Sequence, residues 1–404
     1  MRTAKLKDIT LTITDGKHGD CKNHDGSGYY FISCKDVYDE TIHYENARQI
    51  TEDDFRDADR RTNLAAYDIL ITNSGTIGRM ALVKDIPETR KTTFQKSVAI
   101  VRADTSQVVP NYLYYLLKSK VHDFINSSNG SAQKNLLLST MRDFDISFVD
   151  SFETQHRIAS ILSRYDSLIE NYQKQIKLLE EAAQRLYKEW FVDLHFPGHE
   201  NTKIIDGVPE GWELKSVTNN HLFNVAKCPI ALFNGNKTYY ATADVEGTYF
   251  CNSGVKIEYD NKPSRAQIQP SLYSVWFARM SNSFKIVGFV EQNNNRREDS
   301  ILSSGFAGFE SHYERFGFLY CLITSQWFND QKDRYATGAT QVSITNEGLS
   351  RIRCLLPTTR LAEEFSLVTN KIIEETILYR ENCIMLAEAR DRLLPKLMSG
   401  EIEI

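Results

Sequence analysis

The sequence lacks the patterns that mark several large classes of protein. Its seven cysteines are scattered and form no Cys-x-x-Cys pair, so neither a disulfide framework nor a cysteine-rich metal site is indicated. No hydrophobic run approaches the length of a membrane span, and the N-terminus has no apolar signal core, so we expect a cytoplasmic protein. The formal net charge is −5, which argues against nucleic-acid binding by bulk charge alone.

Motifs for catalysis and cofactor binding are also missing. The sequence has no Walker-type phosphate loop, no Gly-x-Gly-x-x-Gly and no Asn/Asp-Pro-Pro-Tyr/Phe tetrapeptide of an adenine methyltransferase. Cys21 and His24 would supply only half of a zinc site. Asp206 and Glu213 faintly suggest a metal-dependent nuclease, but residues 208–212 between them are typical of a turn and not of a strand pair. We therefore expect no catalytic residue, metal or cofactor in this chain.

The chain contains two copies of one pattern. An offset of 208 residues aligns Gly130 with Gly338, Gln133 with Gln341, Leu136 with Ile344, Leu6 with Leu214, Ile9 with Val217, and residues 35–37 with 243–245. An offset of 207 aligns residues 179–186 with 386–393. Because separate stretches share nearly one offset, we interpret the chain as a duplication.

A long helix is predicted at the end of each copy. Apolar residues recur there at alternating steps of four and three, which is a heptad seam that needs a partner helix. The predicted seam residues are Ile158, Leu162, Tyr165, Ile169, Tyr172, Ile176, Leu179 and Leu186 in the first helix, and Phe365, Ile372, Tyr379, Leu386 and Leu393 in the second. Two equivalent units related by a two-fold axis would pair these helices antiparallel. The alternative is two separate core helices.

The second seam is weaker than the first. Thr369, Thr376 and Arg390 are polar, so the neighbours Val368, Ile373 and Ile377 are expected to share the contact. Pro395 lies inside the pattern and is expected to kink or end the helix.

The remaining sequence indicates two globular parts of mixed α and β structure. Strands are predicted at residues 68–74, 80–83, 97–102, 145–149, 271–278, 285–290 and 349–356, and helices at 111–125 and 316–328. The predicted fold class is α+β, with two globular domains of small mixed β-sheet and helices separated by two long helices in an antiparallel coiled coil. The predicted bounds are 1–150 for the first domain, 151–195 for the first helix, 196–210 for a linker, 211–357 for the second domain, and 358–404 for the second helix and tail.

Several loops carry polar and basic groups that suit a nucleic acid. Arg and Lys neutralise phosphates, while Arg, Asn and Gln can pair with base edges. The candidate DNA-binding residues are Lys17, His18, Arg79, Lys91, Gln95, Lys96, Ser131, Gln133 and Lys134 in the first copy, and Arg265, Arg296, Arg297, Thr340 and Gln341 in the second. Ordinary solvent exposure explains many polar loops, and a turn that requires glycine would also explain the recurring Gly–Gln loop.

In this order, the motifs resemble the DNA specificity subunit of type I restriction-modification enzymes, over essentially the whole chain. The resemblance rests on the two-copy plan and on residues 130–133, 338–341, 178–191, 207–212 and 393–402. It implies two target recognition domains, each of which reads one half of a bipartite, asymmetric double-stranded DNA target. It further implies that the helices set the spacing and dock two methyltransferase (M) subunits, and that restriction/translocation (R) subunits join them.

The resemblance also implies that this chain is not catalytic by itself. S-adenosylmethionine, ATP and Mg would belong to the partner subunits, and no membrane partner is expected. Two other hypotheses stay open at this point. One is a complete methyltransferase-nuclease, and the other is a coiled-coil protein–protein adaptor that does not read DNA.

Overall fold

The computed structural model describes residues 1–126, 135–339 and 341–404 and divides into two compact units. The first unit comprises Met1–Ser167 together with Leu386–Ile404, and the second comprises Leu168–Met385. No helix in the described ranges is long and apolar enough to cross a membrane.

The described residues of the first unit form ten strands and four short helices, and the first long helix begins in this unit. The strands are β1 (Arg2–Lys5), β2 (Thr10–Asp15), β3 (Tyr30–Ile32), β4 (Val37–Tyr38), β5 (Thr41–Ile42), β6 (Ile69–Thr72), β7 (Met80–Leu82), β8 (Thr92–Phe94), β9 (Val98–Ala103) and β10 (Asp145–Phe148). The helices are α1 (Glu52–Thr62), α2 (Pro110–Ser119), α3 (Val121–Asn126), α4 (Leu138–Arg142) and the long α5 (Phe152–Phe191).

The second unit contains the remaining elements. Its strands are β11 (Ile204–Ile205), β12 (Val208–Pro209), β13 (Glu213–Ser216), β14 (Asn224–Val225), β15 (Lys237–Tyr240), β16 (Val245–Glu246), β17 (Tyr249–Phe250), β18 (Val255–Ile257), β19 (Ala266–Ile268), β20 (Ser274–Ala278), β21 (Ile286–Phe289), β22 (Ser300–Ser303), β23 (Phe306–Glu310) and β24 (Arg353–Leu356). Its helices are α6 (Asn294–Asp299), α7 (Tyr313–Thr324), α8 (Gln326–Arg334), α9 (Asn346–Arg351) and the long α10 (Thr359–Ser399), which ends in the first unit.

The same sheet plan occurs in both units. A four-stranded antiparallel sheet has the order β2-β9-β6-β7 in the first unit and β14-β23-β20-β21 in the second. Each unit also has a parallel pair, β3–β8 in the first and β15–β22 in the second, where it forms the centre of another four-stranded sheet of order β18-β15-β22-β19. An antiparallel pair, β1–β10 or β13–β24, joins the beginning and the end of each copy. The central strands β6 and β20 are buried along their whole length, which explains their continuous apolar sequences. The predicted α+β fold with an internal repeat is confirmed.

The structure corrects one part of the alignment between the copies. The amide of Leu6 donates to the carbonyl of Phe144 at 2.9 Å, and the amide of Val217 donates to the carbonyl of Ile352 at 3.0 Å. Leu6 and Val217 are both fully buried, whereas Leu214 is 53% exposed. Leu6 is therefore equivalent to Val217, and the predicted alignment of Leu6 with Leu214 and of Ile9 with Val217 was wrong by three residues. The alignment had matched residue types, whereas equivalent positions share the same burial and hydrogen bonds.

The alignment of residues 35–37 with 243–245 holds in the structure. The Asp36 carboxylate accepts from the amide of Ser33 at 2.8 Å, and the Asp244 carboxylate accepts from the amide of Ala241 at 2.7 Å. Each aspartate opens a two-stranded hairpin, β4–β5 in the first unit and β16–β17 in the second. These hairpins were not predicted from the sequence, since each strand is only two residues long.

The long helices pair antiparallel within each unit. In the second unit the ring centroids of Tyr172 and Tyr379 lie 4.8 Å apart, and those of Tyr187 and Phe365 lie 6.2 Å apart, so numbers rise along α5 as they fall along α10. In the first unit, residues of the early turns of α5 share one core with residues of the last turns of α10; this set comprises Ile158, Ala159, Leu162, Leu394, Leu397 and Met398.

The burial of the predicted seam residues is uneven. Ile158, Leu162 and Phe365 are buried, while a second group is half-buried: Tyr165, Ile169, Tyr172, Ile176, Leu179, Leu186, Ile372, Tyr379, Leu386 and Leu393. Ile373 and Ile377 are buried as expected, but Val368 is 50% exposed, so its predicted share in the contact was wrong. Residues outside the predicted seam of α10 are also buried because this helix packs against the globular part of the second unit, including α7.

Polar residues in the second seam are buried because each finds a partner. Thr369 and Thr376 donate from their hydroxyls to the carbonyls of Phe365 and Ile372, one turn earlier, at 3.0 and 2.8 Å. Pro395 was expected to kink or end the helix, yet α10 continues to Ser399. The buried neighbours Leu394 and Leu397 hold this turn in the first core, and that packing outweighs the missing hydrogen bond.

Further boundaries differ from the predictions. The predicted helix 111–125 is two helices, α2 and α3, separated at Lys120. The predicted helix 316–328 is likewise two helices, α7 and α8, separated at Ser325. Residues 349–351 belong to α9 and not to the predicted strand, which begins at Arg353. Residues 208–212 were expected to form a turn and no strand pair, but β12 pairs with β11 through Asp206 and Gly207, both at positive φ. Asp-Gly is a strong two-residue hairpin signal, and the sequence contained it.

Candidate nucleic-acid interface

In the first unit, the backbone brings Lys17, Gln95 and Lys96 together. Lys17 forms a parallel bridge with Gln95, and the amide of Lys96 donates to the carbonyl of Lys17 at 3.2 Å. The approach depends on Gly16, since a Cβ there would lie 2.1 Å from the carbonyl oxygen of Phe94. Lys96 is exposed and Gln95 is half-buried.

An acidic network holds the other candidates of this loop. Lys17 Nζ lies 3.0 Å from the Asp57 carboxylate, and this hydrogen bond raises the pKa of Lys17. His18 Nε2 lies 2.9 Å from the carboxylate of Asp15, which is 6% exposed. Arg61 at the end of α1 binds the second oxygen of the same carboxylate and keeps about half of its side chain exposed. The carboxylates of Asp57 and Asp15 therefore hold the side chains of Lys17, His18 and Arg61 in place.

Sequence reasoning missed Arg61 because it missed α1. The signals were present: Thr51 caps the helix by accepting from the amide of Asp54, acidic residues fill the first turn, and Arg60 and Arg61 fill the last.

Lys91 directly precedes β8 of the parallel pair β3–β8, and its Nζ is 5.8 Å from the ring centroid of Tyr29. An aromatic ring beside an exposed cation suits a stacked or phosphate-bearing ligand.

Arg79 follows a tight loop between β6 and β7 that contains Gly75 and Gly78 at positive φ. Its side chain is exposed, and its amide donates to the hydroxyl of Thr72 at 2.9 Å. The start of this loop also contacts the segment that follows the Gly–Gln motif, since the amide of Leu136 donates to the carbonyl of Asn73 at 2.8 Å. Three predicted contact residues, Ser131, Gln133 and Lys134, lie outside the described residues.

The second unit repeats this meeting of loops. The amide of Ile344 donates to the carbonyl of Arg279 at 2.8 Å, and Ile344 is as deeply buried as its counterpart Leu136. Thr337 and Ser343 exchange two backbone hydrogen bonds of 3.0 Å and so close the loop between them. Gly338, at φ +135°, has no room for a Cβ, which would lie 2.4 Å from the carbonyl oxygen of Gln341. The glycine is thus required by the turn.

The side chain of Gln341 remains exposed on this closed loop, whereas Thr340 lies outside the described residues. The half-buried Arg279 and the buried Lys332 bond to the backbone where these loops meet. Arg279 donates to the carbonyl of Ile344 at 3.1 Å, and Lys332 donates to the carbonyl of Met280 at 3.1 Å. Desolvation lowers the pKa of both side chains.

The remaining candidates of the second unit fall into two groups. Arg265 is exposed beside the strand pair β19–β22. Arg296 and Arg297 are largely withdrawn from solvent, with side chains 18% and 20% exposed. Arg296 donates to the Glu381 carboxylate at 2.6 Å and to the hydroxyl of Tyr240 at 2.9 Å. Its described partners are protein groups, so the structure gives Arg296 a role in packing α6 on α10.

Metal-ligand chemistry is not indicated at these loops. Within the described ranges, no three or more His, Cys, Asp or Glu side chains are grouped so that they could hold a metal ion. The geometry instead offers glycine-shaped loops, exposed Lys, Arg and Gln side chains, and a supporting sheet in each unit.

Comparison with known proteins indicates the family that the chain resembles. Residues 3–181 match the family model described as the type I restriction modification DNA specificity domain. Over nearly its whole length, the chain is similar in sequence to type I restriction enzyme specificity subunits. It is 28% identical to the type I restriction enzyme MjaIX specificity subunit of Methanocaldococcus jannaschii, over 95% of this chain and 89% of the relative. A putative MjaX specificity subunit of the same organism is 23% identical, over 99% and 93% of the two chains.

A solved structure has the same fold as this chain. The crystal structure of the type I restriction-modification system S subunit from M. genitalium superposes with a TM-score of 0.61 at 16% identity, over 98% of this chain and 96% of that one. The predicted resemblance is therefore confirmed, both in sequence and in fold.

Proposed function

We propose that this protein is a type I specificity subunit that reads DNA and performs no chemistry itself. Each globular part would bind one half of a bipartite target through the loops described above. The observation that carries the proposal is the sheet plan that occurs in both units, together with the closed loop at Gly338 and Gln341 in the second unit and exposed side chains that differ between the copies. Because the candidate DNA-binding side chains differ between the two globular parts, we expect the two half-sites to differ and the target to be asymmetric.

The helices α5 and α10 are the proposed spacer. Each helix contributes one part to each unit, so a change in helix length would change the separation of the readers and hence the gap in the target. Two M subunits would dock on this chain, and R subunits would join the complex. S-adenosylmethionine, ATP and Mg would then be bound by those partners.

The charge of the chain supports a role within a complex. The net charge is −5, and the carboxylates of Asp57 and Asp15 already bind Lys17 and His18. We therefore expect the isolated subunit to bind DNA weakly. Partner subunits would supply much of the electrostatic attraction to phosphates, while this chain would supply the sequence preference.

A gel-shift series with the M subunits tests the proposal. The complex is expected to prefer one bipartite sequence from a random duplex pool, with affinity that falls steeply as salt rises. Mapping methylated bases in host DNA would give the same two half-sites. Binding that ignores sequence, with or without partner, would instead support a protein–protein adaptor. Methylation by the purified chain alone would contradict the non-catalytic role.

A further inference from the structure

A buried arginine of α10 holds the tip of a β-hairpin in each unit. In the first unit, Arg390 is 6% exposed and donates from both terminal nitrogens to the Glu40 carboxylate, each at 2.8 Å. Asp166 of α5 binds the same guanidinium, and Lys118 of α2 binds Glu40. We call these four residues the first arginine lock.

The second arginine lock consists of Arg380, Thr248 and Glu180. Arg380 is 11% exposed and donates to the carbonyl and the hydroxyl of Thr248 and to the carboxylate of Glu180. The Thr248 hydroxyl also donates to Glu180 at 2.8 Å. Thr248 lies 208 residues after Glu40, so the two locks hold equivalent hairpin positions.

The conformation of Glu40 indicates that its side chain is required. Asp39 and Glu40 have φ values of 47° and 60°, a left-handed pair that glycine or asparagine would adopt more easily. At the equivalent turn the second unit has Gly247 at φ 53°. A non-glycine residue held in this region is strained, and the two hydrogen bonds between Arg390 and Glu40 offset that strain.

Each hairpin connects the long helices to a recognition loop. Strands β4 and β5 pack on β7, the edge strand that directly follows Arg79. In the second unit, the amide of Ile286 at the start of β21 donates to the carbonyl of Gly247 at 2.8 Å, and the loop before β21 leads back to Arg279. The contacts therefore run from α10 through the hairpin to the edge strand and its loop.

We infer that Arg390 and Arg380 are positioning residues that fix the angle of each reader on the helix pair, and thereby limit which gaps between half-sites the subunit accepts. This inference rests on the proposed function. The two locks differ in chemistry, because the first is a bidentate ion pair and the second ends on a neutral threonine. Loss of Arg390 removes two charge-assisted hydrogen bonds to its hairpin, whereas loss of Arg380 removes bonds to a neutral residue of its hairpin, so we expect the first reader to depend more strongly on its lock.

The test uses the complete methyltransferase complex and duplexes that contain both half-sites separated by the native gap or by gaps one base pair longer and shorter. Arg390→Met is expected to reduce the preference for the native gap on the order of tenfold, the scale of ordinary coupling between distant sites. Arg392→Met is the matched control, since Arg392 lies on the same helix with 82% of its side chain exposed. Arg380→Met, with Arg360→Met as its exposed control, is expected to have a smaller effect.

Glu40→Gln provides a second variant that removes the charge while it keeps the side-chain shape. Thermal unfolding of each variant separates loss of folding from loss of gap preference. Folded Arg390→Met or Glu40→Gln with the wild-type gap preference would overturn the inference and leave the proposed function intact. A wild-type complex that binds every gap or every sequence equally would instead refute the proposed function.

Discussion

The ring of Tyr172 on α5 stacks on the ring of Tyr379 on α10, with centroids 4.8 Å apart and an interplanar angle of 24°. Tyr172→Ala should therefore lower the free energy of unfolding by about 1–3 kcal/mol, through lost burial and a lost ring pair. Thermal or denaturant unfolding measures this. The exposed neighbour Gln173→Ala is the control. Equal effects of the two substitutions would show that the tyrosine pair does not stabilise the coil.

Gly338→Ala should disturb the closed loop of the second unit, because the added Cβ meets the carbonyl oxygen of Gln341 and φ is +135°. We expect a loss of about 1–3 kcal/mol in local stability and reduced use of the second half-site. Methylation assays on duplexes with single altered half-sites would measure this. Gly235→Ala, at positive φ but with no neighbour within 4 Å, is the control. Reduced use of both half-sites would argue against a local role.

Lys96→Ala should weaken DNA binding by the assembled complex without a change in sequence preference. Lys96 is exposed beside Lys17, so its charge is available to a phosphate. Loss of one phosphate contact is expected to reduce the slope of log affinity against log salt by about one. Lys203→Ala, an exposed lysine of the linker, should leave the slope unchanged. If the Lys96 slope is also unchanged, this lysine does not contact DNA.

Acid should destabilise the first unit through Glu40. Burial raises the pKa of Glu40, but Lys118 and Arg390 together hold it below its ordinary value of 4.5. A carboxyl with a lowered folded-state pKa stabilises the fold above its unfolded pKa, and this contribution is lost as pH falls through the folded value. Unfolding followed from pH 7 to about pH 3 should therefore show a smaller acid loss in Glu40→Gln than in the wild type. Identical pH profiles would contradict the charge assignment.

Much of the fold could be predicted from spacing alone. The heptad steps of the first helix and the apolar runs of β6 and β9 follow from burial, which leaves a direct trace in the sequence. The offset of 208 residues follows from the internal repeat. Two-residue strands such as β4 and β16 leave almost no such trace. The break at Lys120 and the continuation through Pro395 depend on packing by residues that are distant in sequence.

The candidate interface was predictable only in part. The glycine loops and exposed cations such as Lys96 and Arg79 could be found because turns and charges are local properties. Whether a cation is free or bound is not local. Arg296 was predicted to contact DNA, and the structure shows that it binds Glu381, 85 residues away. Arg61 was not predicted as a candidate, yet it binds the same Asp15 carboxylate as His18.

By itself, the sequence determined that this protein is a duplicated α+β chain with two long helices, and it carried enough motifs to indicate the type I specificity subunits. Only the tertiary structure decided which polar groups serve the fold. Arg390 and Glu40 are separated by 350 residues, and their pairing depends on an antiparallel helix pair and a strained hairpin turn. Partners so distant in sequence meet only after the chain has buried its apolar faces, so residue type and local spacing could not reveal them.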